Sequence, residues 1–138
     1  MQSKVSIKVC GITDDYSASA AVTHGADFLG FVFYKSSPRY VSAKMAAEIS
    51  EVVPDTVSKV ALFVNPTDSE LEQTLGFFRA DYIQLHGNES PDRVDSIRWN
   101  FGLPVLKAIA VSSKKDIIAS YSYHDHADML LFDSNLLY

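Results

Sequence analysis

Short, almost unbroken apolar runs alternate along this chain with longer stretches in which apolar and polar residues recur at helical spacing. The runs fall near Val5–Val9, Phe28–Phe33, Lys59–Val64, Tyr82–Leu85, Val105–Ala110 and Met129–Phe132. They are rich in β-branched and aromatic residues and give way to small, polar or turn-forming ones, as strands do. Their near-continuous hydrophobicity suits a parallel sheet covered on both faces better than an antiparallel sheet with one wet face.

The stretches between the runs have legible ends. Thr13 or Asp14 can cap a helix that runs to His24 and stops at Gly25, and Ser42 can begin one that ends before Pro54. Thr67 with Glu70 three residues on is a capping box for a helix through Phe78. Ser90 and Pro91 fit the cap and first position of a helix closing near Gly102, and Ser112 or Ser113 opens one that fades by Tyr123. No low-complexity linker or charge block divides the chain, so residues 1–138 read as a single domain of α/β class.

Two architectures fit six such strands: a doubly wound open sheet, or part of an eight-stranded barrel. Pattern alone does not separate them. A dinucleotide-binding domain is disfavoured, because the turn Cys10-Gly11-Ile12-Thr13 holds no G-x-G-x-x-G and His86-Gly87-Asn88 is too short to cradle a pyrophosphate.

Composition adds limits rather than a function. The 47% hydrophobic and 21% charged fractions are those of an ordinary globular domain. A net charge of −5 argues against nucleic acid as the main partner, yet leaves room for a small anionic substrate in a local cationic pocket. One cysteine excludes an intramolecular disulfide, and no Cys/His cluster has zinc spacing. Met1 to Lys8 lack the apolar core of a signal peptide and no run is long enough to cross a membrane, which makes the cytoplasm the default location.

In both architectures ligands meet the C-terminal ends of the strands. The residues there are Cys10, Tyr34-Lys35, Asn65, His86, Ala110-Val111 and Asp133. A lone strand cysteine is often only packing, a strand-end aspartate often caps a turn, and His86 fits a structural hydrogen-bonding role as well as a chemical one. Arg39 follows in a loop stiffened by Pro38, which would help hold a guanidinium for bidentate recognition of a carboxylate; a solvated surface arginine is the alternative.

Read in order, five segments form a familiar series. They are Lys8-Val9-Cys10-Gly11-Ile12-Thr13; Gly25 to Phe33 running into Ser37-Pro38-Arg39-Tyr40-Val41; Val64-Asn65-Pro66; Gln84-Leu85-His86-Gly87; and Leu131-Phe132-Asp133-Ser134. Together they resemble phosphoribosylanthranilate isomerase, an enzyme family of tryptophan biosynthesis. The resemblance implies a TIM (β/α)8 barrel of which this chain covers about the first six βα units. It also implies an Amadori rearrangement, by general acid/base catalysis, of N-(5'-phosphoribosyl)anthranilate to 1-(2-carboxyphenylamino)-1-deoxyribulose 5-phosphate. On the same resemblance Cys10 is the base, Asp133 the acid, Arg39 the partner of the anthranilate carboxylate, Gln84 and His86 line the pocket, and no metal or organic cofactor is required.

The family continues beyond the sixth strand, and its loops there form the phosphate site. The chain is therefore expected to be C-terminally incomplete as a barrel and inactive by itself. A catalytically silent partial barrel that pairs with itself, as a homodimer, or with a complementary fragment is the alternative. A flavodoxin-like binding domain is a third reading, and it leaves the ordered motifs unexplained.

Overall fold

The computed structural model describes residues 4–134. Its elements run β1 (Lys8–Cys10), α1 (Asp15–Thr23), β2 (Phe28–Val32), α2 (Ala43–Ser50), β3 (Ser58–Phe63), α3 (Asp68–Phe77), β4 (Tyr82–Leu85), α4 (Pro91–Phe101), β5 (Val105–Val111), α5 (Lys114–Ser120) and β6 (Met129–Ser134), with a 3-10 turn over Tyr121–Tyr123 before β6. The caps explain where the helices begin. Asp14, Ser42, Thr67 and Ser90 each accept a backbone N–H of the first turn, and Thr67 and Glu70 close the expected reciprocal box. At the last helix one carboxylate does this work, with Asp116 accepting from the amides of both Ser112 and Ser113.

All six strands are parallel, and their order across the sheet is their order in sequence, β1-β2-β3-β4-β5-β6. This decides between the two architectures. A doubly wound sheet reverses direction at a switch point, whereas a barrel adds each strand to the same side of the last. The fold is a six-stranded parallel α/β sheet of barrel type, with β1 and β6 as its edges among the described residues.

Alternation along the strands divides the sheet into two faces. Leu29, Phe31, Ala61, Phe63, Ile83, Leu85 and Val105 pack with helix residues Ala18, Ala46, Leu71, Val94 and Ile97 in one buried core. Phe78 closes it, its ring 5.0 Å from Phe31 and 5.2 Å from Phe33. The registers place the other residues of each strand on the opposite, inward face: Lys8 with Phe28, Cys10 with Gly30, Leu62 with Gln84 and Leu106, and Ala110 with Asp133.

Strand β1 begins later than its pattern predicts. The carbonyl of Ile7 accepts from the amides of Asp27 and Phe28, and its own amide donates to the Asp27 carboxylate, so the ladder starts at Lys8. Val5 and Ile7 are left 79% and 50% exposed, an apolar edge beside β1. At the other edge β6 extends two residues past its predicted end and carries Asp133 within the ladder, paired with Ala110.

Candidate functional site at the C-terminal ends of the strands

A cavity of about 530 Å³ opens over the C-terminal ends of β2 to β6. Arg39, Asn65, His86, Ala110 and Asp133 stand on its wall, each in or after a different strand. The sheet order brings them together, since each closes a successive strand or follows it in a loop.

Arg39 is held by its loop. The amides of Ser37 and Tyr40 close turns onto Tyr34 and Ser37, the Arg39 amide donates to Ser37 Oγ, and the Val41 amide returns to the Val32 carbonyl. The guanidinium donates to the carbonyl of Cys10 at 3.2 Å. Gly11 makes this approach possible, because a Cβ there would stand 2.5 Å from Arg39 Cδ, and the residue's φ of +86° suits glycine.

Cys10 is half-buried and lies one strand beyond the cavity wall, reached through Arg39. Its neighbour in register is Gly30, where a Cβ would fall 2.7 Å from Cys10 Sγ. The absent side chain on β2 gives the thiol its place on the inward face.

His86 lies between two strands. Its Nδ1 is 3.0 Å from Gln84 Nε2 and its Nε2 3.5 Å from Asp133 Oδ2. Burial is the main cause holding the imidazole below its ordinary value. Asp133 and Glu89 pull the other way, and Lys107 and Lys8 add to the depression. The ring is therefore neutral at neutral pH. Gln84 is 1% exposed and sits beneath His86 rather than on the cavity wall, with its Oε1 accepting from Lys8 Nζ. Of the five residues singled out in the sequence, three stand on the wall, Cys10 is joined to it by Arg39, and Gln84 supports it from below.

Pattern reading passed over a buried charged pair whose lysine lines the cavity. Lys107 and Glu89 are both buried and bridge at 3.1 Å, and Lys107 also donates to the carbonyls of Gly87 and Ala108. Glu89 accepts from the amides of Asn65 and Gly87, which ties the loop after β3 to the loop after β4 directly under His86. A lysine inside the apolar run Val105-Leu106-Lys107-Ala108-Ile109 was the available signal, since a lysine is almost never buried without a partner.

A sequence model described as N-(5'-phosphoribosyl)anthranilate (PRA) isomerase matches residues 7–136. The chain belongs to this isomerase family. It is 47% identical over 130 residues to the N-(5'-phosphoribosyl)anthranilate isomerases of Paramagnetospirillum magneticum and of Paracoccus denitrificans, an alignment that covers 94% of this chain and 60% of each relative. The chain thus spans about three fifths of the length of these relatives. Among solved structures it is similar to the phosphoribosylanthranilate isomerase of Thermotoga maritima, with a TM-score of 0.89 at 33% identity over 97% of this chain and 63% of that one. A second similar structure, at TM-score 0.81 and 30% identity, covers 96% of this chain and 77% of that isomerase, which is in complex with reduced 1-(o-carboxyphenylamino)-1-deoxyribulose 5-phosphate.

Among the described residues no group of three or more His, Cys, Asp or Glu side chains is arranged to hold a metal, and no helix is long and apolar enough to cross a membrane.

Proposed function

We propose that this chain carries the acid/base half of a phosphoribosylanthranilate isomerase site, with Asp133 as general acid and Cys10 as general base. The observation that carries the reading is the convergence of Asp133, His86 and Arg39 on one cavity, with Arg39 also bound to the backbone of Cys10. Asp133 protonates the furanose ring oxygen, which opens the ring to a Schiff base; Cys10 then removes the C2' proton to give an enolamine that tautomerises to the ketose. A single group cannot serve both positions conveniently, and the inward face supplies one from each edge strand. The relative solved with a reduced carboxyphenylamino-deoxyribulose phosphate supports this substrate class. In the proposed pocket Arg39 takes the anthranilate carboxylate, His86 borders the sugar, and Gln84 acts through His86.

The direct test is turnover of N-(5'-phosphoribosyl)anthranilate in the barrel completed with strands seven and eight, with Arg39→Lys beside the unaltered protein. A point charge does not copy a planar fork, so KM is expected to rise on the order of tenfold, a loss comparable to one charge-assisted hydrogen bond. With an analogue lacking the carboxylate the two proteins are expected to perform alike. Equal losses on both compounds would make Arg39 a structural residue that only holds the Cys10 carbonyl.

Closure into an eight-stranded barrel belongs to the same proposal, with the 5'-phosphate held by the strands that follow the sixth. A polypeptide limited to residues 1–138 is expected to show negligible isomerase activity, and to gain it when a polypeptide carrying strands seven and eight of a family member is added. The exposed Val5 and Ile7 beside β1, and Phe132 on β6, are apolar edge residues suited to such docking, or to pairing of two copies. Full activity of the 138-residue polypeptide, with its mass and monomeric state verified, would overturn this placement of the phosphate.

A further inference from the structure

Four polar side chains on the inward face form a line from one edge strand to the other, joined by two hydrogen bonds and a closing His86–Asp133 contact. Lys8 on β1 donates to Gln84 Oε1, Gln84 Nε2 meets His86 Nδ1 at 3.0 Å, and His86 Nε2 lies 3.5 Å from Asp133 Oδ2 on β6. The direction of this line is set at Lys8. An ammonium has donors only, so the carboxamide must turn its one oxygen towards Lys8, which leaves the NH2 facing the imidazole. A neutral imidazole that accepts at Nδ1 carries its proton on Nε2. Gln84 is buried, so water does not compete to reverse the amide.

We propose that Lys8 is a positioning residue which, through Gln84, locks His86 in the Nε2–H tautomer, so that Asp133 always faces a hydrogen-bond donor. The inference rests on the reading of Asp133 as the acid. In the opposite tautomer His86 would aim a lone pair at Asp133. A lone pair there would repel the carboxylate that Asp133 becomes on giving up its proton. With the tautomer locked, the Nε2–H faces that carboxylate instead and stabilises it as the ring oxygen takes the proton.

The test joins a spectroscopic readout to a kinetic one. In the 15N-labelled protein, with the His86 signals assigned by their loss in His86→Asn, Nδ1 is expected to be unprotonated and Nε2 protonated. Lys8→Met should give a mixture of tautomers, Lys8→Arg should keep the original one, and Gln84→Glu should move the proton to Nδ1, because a carboxylate can only accept. In the barrel completed with strands seven and eight, turnover should fall with the tautomer, on the order of ten- to a hundredfold in kcat with KM changed little, and Lys8→Arg should recover most of it. A His86 that is already Nδ1–H, or one whose tautomer ignores Lys8→Met, overturns the proposal. If Lys8→Met does not fold, Gln84→Glu decides the same point. The tautomer is read without substrate, so the expected spectra in a barrel completed with strands seven and eight that does not turn over N-(5'-phosphoribosyl)anthranilate would refute the functional reading and leave the polar line standing.

Discussion

Replacing Cys10 with Ala, or Asp133 with Asn, is expected to cut turnover by ~10²–10⁴ in any form of the protein that is active, the loss typical of a positioned base or acid. Neither change should disturb the fold. Cys10 is half-buried against a glycine, so losing its sulfur opens no deep cavity, and the Asp133 side chain is 40% exposed at the end of an edge strand. Asparagine also retains an oxygen for the Ser134 amide, which donates to Asp133 Oδ1 at 2.8 Å. Steady-state kinetics beside thermal melts check both halves of the expectation. Near-normal kcat in either variant removes that residue from the chemistry, and a collapse of the melt would mean that the loss of activity reports folding instead.

The second large effect is on stability. Glu89→Ala takes away the counter-charge of buried Lys107 and the acceptor of two loop amides at once. Removing one partner of a buried ion pair costs about 3–5 kcal/mol, because the other charge stays behind unpaired, and the melting temperature should fall on the order of 10 °C or more. Glu89→Ala combined with Lys107→Met should be more stable than Glu89→Ala alone, since no charge then remains buried. If the double variant melts no higher than the single one, the cost lies in the untied loops and not in the stranded ammonium. A loss below ~1 kcal/mol in the single variant would show that water reaches Lys107 freely.

Sequence and structure agree where local chemistry decides. Helix starts were legible because Ser42, Thr67 and Ser90 satisfy first-turn amides through contacts only a few residues long. The strand ends Cys10, His86 and Asp133 were legible because an apolar run stops at a reactive group. The choice between open sheet and barrel was not, since strand order depends on which strands pair and periodicity carries no record of that. The roles of Lys8, Gln84, Glu89 and Lys107 were hidden for a similar reason. Each depends on a partner far along the chain, such as Gln84 for Lys8 or Glu89 for Lys107, and its own surroundings in sequence carry no record of that partner.

The sequential order of the strands also bears on how the sheet is made. Every ladder joins two strands that are consecutive in the chain, with register partners such as Lys8 and Phe28, or Leu106 and Met129, roughly twenty to thirty residues apart. Among the described residues no strand pairs with one synthesised much later. As each βα unit leaves the ribosome it finds the edge of the previous one already exposed, so the sheet can grow by addition from β1 towards β6, in step with translation. The inward line from Lys8 to Asp133 is the last thing such growth completes, because its two ends belong to the first strand and the sixth. A nascent chain would therefore acquire its helix-covered core several units before it acquires an acid beside His86.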